Sequence, residues 1–211
     1  MTPLRHAPVQ NVGHAPLLPV GDCCSLPGVV LSYAQSEQIY AEGDRAHFLY
    51  AVVAGAVRTV RHSSDGRRQV GAFYYPGDLF GLEVDEQHAF TAEAMCPAQV
   101  ISVRLGSAED RAIAQAARRE LARAHDHLAM LGRRSAEEKV ASFLLELAHQ
   151  GPRDHAALQM SRQDMADYLG LALETVSRVL SRFQDENLVV FSSCRDFRII
   201  QRSRLRCLAS T

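Results

Sequence analysis

Residues 160–183 read MSRQDMADYLGLALETVSRVLSRF, and this stretch decides the fold. The pattern is that of two short helices across a tight turn. Ser161 is suited to cap the first helix: its hydroxyl can accept an orphan backbone N–H, and Asp164, three residues on, resembles a capping-box partner. Ala166, Leu169, Val176 and Leu180 supply small or apolar contacts where the helices cross. Gly170 falls between them, where a left-handed backbone costs least. The second helix presents Glu174, Ser177 and Arg178 on one exposed face, because i, i+3 and i+4 are neighbours on a helix. This is the layout of a helix-turn-helix, whose second helix reads the DNA major groove. A helical hairpin packed inside an enzyme core is the competing reading of these residues alone.

Downstream, residues 188–191 and 197–200 read as two strands joined across 192–196, a hairpin or wing. Ser193, Arg195 and Arg198 offer donors there for phosphate. Upstream, Ser135 and Glu138 form a capping box that starts a helix running to about Gln150. Val140, Phe143, Leu144 and Leu147 make its core face, and Gly151-Pro152 stops it. Before that, Ile113, Ala117, Leu121, Ala124, Leu128 and Leu131 are spaced by fours and threes from near Glu109 to Gly132. Arg118, Arg119, Glu120 and Arg123 flank this narrow seam, which predicts a two-stranded coiled coil rather than a helix packed only on its own sheet.

Between about Leu26 and Leu105 the pattern is different. Short apolar or β-branched runs (HFLYAVV, AVRTVR, VGAFYY, AQVISVRL) alternate with turn signals at 42–44, 54–55, 63–66 and 76–78. That spacing predicts a β-sandwich or barrel. In VRTVR, Val57 and Val60 separated by polar residues read as a strand with one wet face. Residues 1–25 carry prolines without periodicity and read as a loose arm. The expected division is therefore an arm over 1–25, a β-barrel sensor-like domain over 26–108, a dimerisation helix over 109–132 and a winged helix-turn-helix over 133–211.

Composition narrows the function classes. An apolar fraction of 47% is ordinary for a globular core. The net charge of −1 conceals an asymmetry: from Arg133 onward there are 12 basic and 10 acidic residues, so the mild positive bias lies on the helix-turn-helix side. Cys23, Cys24, Cys96, Cys194 and Cys207 are odd in number and scattered, and no signal peptide is evident. These features predict a reducing cytoplasm rather than a disulfide framework. No apolar run approaches the length of a membrane span.

The order β-domain, seam helix, capped helix, helix-turn-helix and wing resembles the cAMP-receptor/FNR superfamily of bacterial transcription regulators. The resemblance rests on IYAEGDRAHFLYAVVAGAVR at 39–58, PGDLFGLE at 76–83, AEEKVASFLLEL at 136–147 and MSRQDMADYLGLALETVSRVL at 160–180. The combination YLGL-x-LETVSR, with FGLE before it, is most similar to the FixK-type subgroup. The resemblance implies an α+β chain: an N-terminal β jelly-roll of the cyclic-nucleotide-binding kind, a long dimerisation helix and a C-terminal winged helix-turn-helix. It implies a homodimer on double-stranded DNA that recruits RNA polymerase, with no membrane partner. It further implies base contacts from Glu174, Ser177 and Arg178. Leu173, apolar where the cAMP-binding branch has arginine, implies a TTGAT-N4-ATCAA-like palindrome. Thr175 matches a phosphate-contacting threonine, and Arg162 with Gln163 matches the start of the first helix, which touches the DNA backbone. One departure stands out. Ala172 occupies the cap of the recognition helix, where serine or threonine is usual, a difference worth about 1 kcal/mol of local stability.

The residues bear on three possible effectors. The superfamily holds the cyclic-nucleotide phosphate with an Arg-Ser pair. The matching positions are His88 and Ala89, next to Glu83, Asp85 and Glu86, and carboxylates repel a phosphate. A four-thiolate iron–sulfur cluster needs more than the adjacent Cys23-Cys24 and Cys96. For haem, His47, His62 and His88 have no distinctive partners. The expectation is a regulator with no cofactor and no effector, with an effector-gated regulator of the same superfamily as the alternative. Cys194, beside Arg195 in the wing, is a candidate redox thiol whose oxidation would block DNA contact; an inert loop thiol is the other reading. A cupin-like metal enzyme is the remaining alternative. It is disfavoured because the histidines are scattered, without a His-x-His pair or an acid at facial-triad spacing.

Overall fold

The computed structural model describes residues 28–107, 110–150, 155–193 and 196–210. The arm over 1–25 with Cys23 and Cys24, the Gly151-Pro152 stop, and Cys194 and Arg195 lie outside the described residues. The chain forms two compact units. One takes in the described residues up to Arg61 together with Ala72–Glu120, and the other takes in His62–Gly71 with the described residues from Leu121.

The β-strands before α1 form a sandwich of two antiparallel four-stranded sheets. They are β1 (Val29–Tyr33), β2 (Gln38–Tyr40), β3 (Phe48–Ala54), β4 (Val57–His62), β5 (Arg68–Tyr74), β6 (Leu79–Phe80), β7 (Thr91–Ala94) and β8 (Ala98–Arg104), and all belong to the first unit except His62 and the start of β5, from Arg68 to Gly71, which belong to the second. The sheet orders are β1-β8-β3-β6 and β2-β7-β4-β5. Strand alternation explains the near-continuous apolar runs. On β3, β6 and β8, Tyr50, Val52, Phe80 and Val100 belong to one buried cluster with Tyr40, Val57, Ala72, Tyr74 and Ala92. The residues between them, Leu49, Ala51, Leu79, Ile101 and Val103, form a second cluster with Ala116 of helix α1 (Asp110–Leu131). Both faces of that sheet are covered, so both parities are apolar. On β4 the one-wet-face expectation fails: Val57, Thr59 and Val60 are all buried, half-buried Arg58 pairs with Glu93 at 2.9 Å across the ladder, and only Arg61 and His62 at the strand's end are exposed.

Within the first unit the flank of α1 also turns inward. Arg119 donates to the Gly77 carbonyl at 3.2 Å, and Glu120 accepts the Tyr74 hydroxyl at 3.0 Å. These polar seam neighbours therefore serve to dock the helix on its own sheet.

In the second unit, α2 (Ala136–Gln150) begins as expected, with one change. Ser135 Oγ accepts the Glu138 N–H at 3.1 Å, while the Glu138 carboxylate accepts from Arg134, one residue before the cap. Val140, Phe143, Leu144 and Leu147 are buried. Helices α3 (Arg162–Leu169) and α4 (Leu173–Asp185) follow. The wing is larger than a hairpin: β10 (Val189–Phe191) and β11 (Asp196–Ile199) pair, and β9 (His155–Ala157) adds a third strand on the far side of β11. Helix α5 (Arg202–Ala209), which the sequence pattern does not announce, closes the described chain.

Candidate nucleic-acid interface

The turn between α3 and α4 is built by local chemistry. Asp164 N–H donates to Ser161 Oγ at 3.0 Å, and Asp164 Oδ2 accepts the Ser161 N–H at 3.0 Å, so the capping box is closed in both directions. Gly170 takes a left-handed φ of 62° and its N–H returns to the Ala166 carbonyl, a conformation that a side chain would strain. Lys139 Nζ donates to the Leu169 carbonyl at 3.3 Å, adding a cation where the helix end presents unsatisfied oxygens. Beneath the turn, Met165, Ala166, Leu169, Val176, Leu180 and Phe183 are fully buried.

That burial fixes which side of α4 faces outward. Glu174 and Arg178 are exposed, Ser177 is half-buried and Leu173 is 36% exposed. Arg178 Nε donates to the Glu174 main-chain carbonyl at 3.4 Å, so the two meet through the backbone rather than through the carboxylate. Ala172 has the extended backbone of a cap, φ −73° and ψ 147°, and makes no side-chain capping bond. Thr175 is half-buried one turn into the helix. Past the reading face, Arg182 pairs with Glu137 and, at 2.8 Å, with Glu186, which also takes Arg204 at 3.1 Å. These pairs tie the end of α4 to α2 and α5.

The expected backbone contacts divide into two groups. At the start of α3, Arg162 and Gln163 are exposed, and Gln163 Nε2 donates to Asp167 Oδ1 at 2.7 Å. In the wing, Arg198 is exposed on β11, while the Ser193 hydroxyl donates to Asp196 Oδ2 at 2.8 Å and so is engaged in its own turn. Arg195 lies outside the described residues.

A further residue belongs to this site. Arg68, at the start of β5, donates Nη2 to Asp164 at 2.8 Å and Nη1 to Asp167 at 2.6 Å, forking across both carboxylates of α3. Burial disfavours its charge, but the bonds to the two aspartates outweigh this and raise its pKa above the ordinary arginine value. Partners 96 and 99 positions away left no local signal by which the sequence could reveal it.

The interior of the β-sandwich is filled with rings. Phe80 lies 5.2 Å from Tyr50, 5.1 Å from Tyr74 and 6.2 Å from Tyr40, centroid to centroid. His88, at the position the resemblance assigns to a phosphate-binding arginine, is buried and stacked on Tyr40 at 3.6 Å. Its Nδ1 lies 3.3 Å from Glu83 Oε1. Burial, with help from Tyr33 and Asp44, pushes the Tyr50 phenol up to about 12, and burial, with help from Glu83, also holds the Tyr40 phenol well above the ordinary tyrosine value. These hydroxyls are neutral at any physiological pH. His47 and His62 are exposed. Among the described residues no three His, Cys, Asp or Glu side chains gather as metal ligands. Cys96 is half-buried and Cys207 exposed.

On α1 the seam residues face outward. Leu121 is 58% and Leu128 65% exposed, Ala117 and Ala124 are exposed, and Ile113 and Leu131 are half-buried. Ala112, Ala116 and Met130 occupy the buried side. Among the described residues no helix is long and apolar enough to cross a membrane.

Comparison with known proteins agrees with this geometry. The family described as Crp-like helix-turn-helix domain matches residues 138–208, and the cyclic nucleotide-binding domain family matches residues 30–111. The nitrogen fixation regulation protein FixK of Rhizobium meliloti is 39% identical over 205 residues, covering 96% of this chain and 94% of that protein. The protein of the same name from Azorhizobium caulinodans is 40% identical over 198 residues, covering 87% and 80%. Among solved structures, FixK2 from Bradyrhizobium japonicum superposes with a TM-score of 0.80 at 43% identity, covering 88% of this chain and 99% of that one.

Proposed function

Because the chain belongs to the Crp/Fnr family of DNA-binding transcription regulators, in its FixK-type group, we propose that it acts as a homodimer on a TTGAT-N4-ATCAA-like palindrome. It activates transcription there by recruiting RNA polymerase, in the cytoplasm, without a small-molecule effector. The observation that carries this reading is the outward face of α4, where Glu174 and Arg178 stand exposed on a helix whose other side is fully buried. Arg178 donates to a guanine edge, Glu174 accepts from a base amino group, and Leu173 packs on a thymine methyl. Arg162, Gln163, Thr175, Ser193, Arg195 and Arg198 contact the backbone. The exposed leucines of α1 support the dimer, since two leucines more than half exposed on one stripe are what a partner helix would cover.

Effector independence is supported by the sandwich interior. A nucleotide would have to displace packed rings, and its phosphate would meet Glu83 beside His88 instead of a guanidinium.

The test is titration of a fluorescent palindromic duplex with anaerobically purified protein, with and without cAMP, alongside sedimentation. The expected result is a colourless protein that sediments as a dimer and binds without cAMP. Leu128→Glu shifts it to monomer, because it would bury an unpaired charge in the seam. A wild-type monomer on DNA overturns the dimer, and a visible absorbance band or a cAMP requirement overturns effector independence.

A further inference from the structure

The two carboxylates of α3 stand in an electrostatically awkward place. They lie among the residues that the proposed function sets against the DNA backbone: Asp164 closes the cap at Ser161, and Asp167 holds Gln163. Phosphate oxygens repel carboxylates, and the nearby exposed cation on this helix is Arg162 alone. Asp164 is 3% exposed and Asp167 10% exposed, so neither is well screened by water. Arg68 meets both with one fork, an arrangement that a lysine point charge cannot reproduce. Every oxygen of the pair is then engaged: Asp164 by Ser161 and Arg68, Asp167 by Gln163 and Arg68.

We propose that Arg68 is a positioning residue for DNA binding: by bridging Asp164 and Asp167 it offsets their charge at the phosphate-facing edge of the reading head and fixes the capped start of α3. It touches no base. Its effect reaches DNA through Ser161, Arg162 and Gln163, so it is sequence-independent and sensitive to salt. The proposal rests on the reading that this edge meets the DNA backbone.

The experiment measures Kd for the palindromic and a random duplex, with wild type, Arg68→Ala, Arg68→Lys, Asp167→Asn and the double variant Arg68→Ala/Asp167→Asn. Arg68→Ala is expected to weaken binding to both duplexes by ~10-fold at ~0.05 M salt, with the penalty shrinking to ~3-fold or less at ~0.3 M. A loss caused only by a damaged fold does not shrink as charges are screened. Arg68→Lys regains part of the affinity, because the charge returns and the fork does not. In the Asp167→Asn background the Arg68→Ala penalty falls by ~3-fold, since the two act as a pair. Asp167→Asn alone tightens both duplexes at low salt, and this arm carries the test should Arg68→Ala fail to fold. Wild-type affinity in Arg68→Ala, a tighter complex, a salt-independent penalty, or no change in Asp167→Asn overturns the proposal. Failure of the wild type to bind the palindrome overturns the functional reading instead.

Discussion

The inside of the β-sandwich and the outside of α4 use their side chains in opposite ways. In the sandwich, Tyr40, Tyr50, Tyr74, Phe80 and His88 close on one another. Gly81 sits where an added Cβ would fall 2.6 Å from the Tyr50 ring, so even the backbone is drawn against the stack. On α4, the apolar side is spent on the turn, while Glu174 and Arg178 stand exposed on the other side. One region has used up its specific chemistry internally; the other holds it in reserve. For a fold matched by the cyclic nucleotide-binding family, this contrast supports a sandwich that serves as a scaffold.

The largest effect is expected where the sandwich is tested. Phe80→Ala removes the ring that touches three others, and should cost about 3–5 kcal/mol through lost burial and the cavity left behind. Chemical denaturation monitored by tyrosine fluorescence reads it. A loss below about 1 kcal/mol would mean that the site collapses or was loosely filled, and the contrast between a closed interior and an open reading face would then weaken.

The reading face gives the next effect. Arg178→Ala should cost about 1–3 kcal/mol per half-site on the palindrome and little on random DNA, because a guanidinium on a guanine edge carries sequence information. Arg198→Ala, placed for phosphate, should weaken both duplexes alike and lower the salt slope. Isotherms on both duplexes at two salt concentrations distinguish them. Equal losses for Arg178→Ala would mean that it positions the protein and that another side chain reads the sequence.

What the sequence made legible follows from how far apart interacting residues lie. The reading head was readable because its determinants are local: Ser161 with Asp164, the left-handed Gly170, and apolar spacing within single helices. Strands β3, β4, β5 and β8 stood out as apolar runs between turn residues. Strands β1, β2, β6 and β7 did not, since they are short and take their meaning from distant partners, as Val29 does from Ser102. Strand β9 has three residues and is defined by pairing with β11. Helix α5 buries only Leu205 and Ala209 among its arginines and lacks a side-chain cap, so neither periodicity nor a start signal marked it. Arg68 is the clearest omission at the site, because an ion pair between β5 and α3 leaves no pattern in either segment. The resemblance marks His88 as a departure from the phosphate-binding pattern, but nothing in the sequence announces its stacking on Tyr40.

The smallest effect concerns the start of α4, which the sequence flagged and the structure describes without a side-chain cap. Ala172 already has cap dihedrals, and its carbonyl accepts the Thr175 and Val176 N–H groups at 3.0 and 3.1 Å. What it lacks is an oxygen for the remaining orphan donors of the first turn. Ala172 is exposed, so serine fits without displacing the core. Ala172→Ser should therefore stabilise the helix start by about 0.5–2 kcal/mol, through a hydroxyl that accepts the Glu174 N–H or shares the Thr175 N–H with the residue 172 carbonyl. Hydrogen exchange at those two amides should slow, while exchange in the sandwich strands stays unchanged. An unchanged rate at both amides would mean that water or another group already satisfies the first turn, and that the uncapped start does not limit how firmly Glu174 and Arg178 are held.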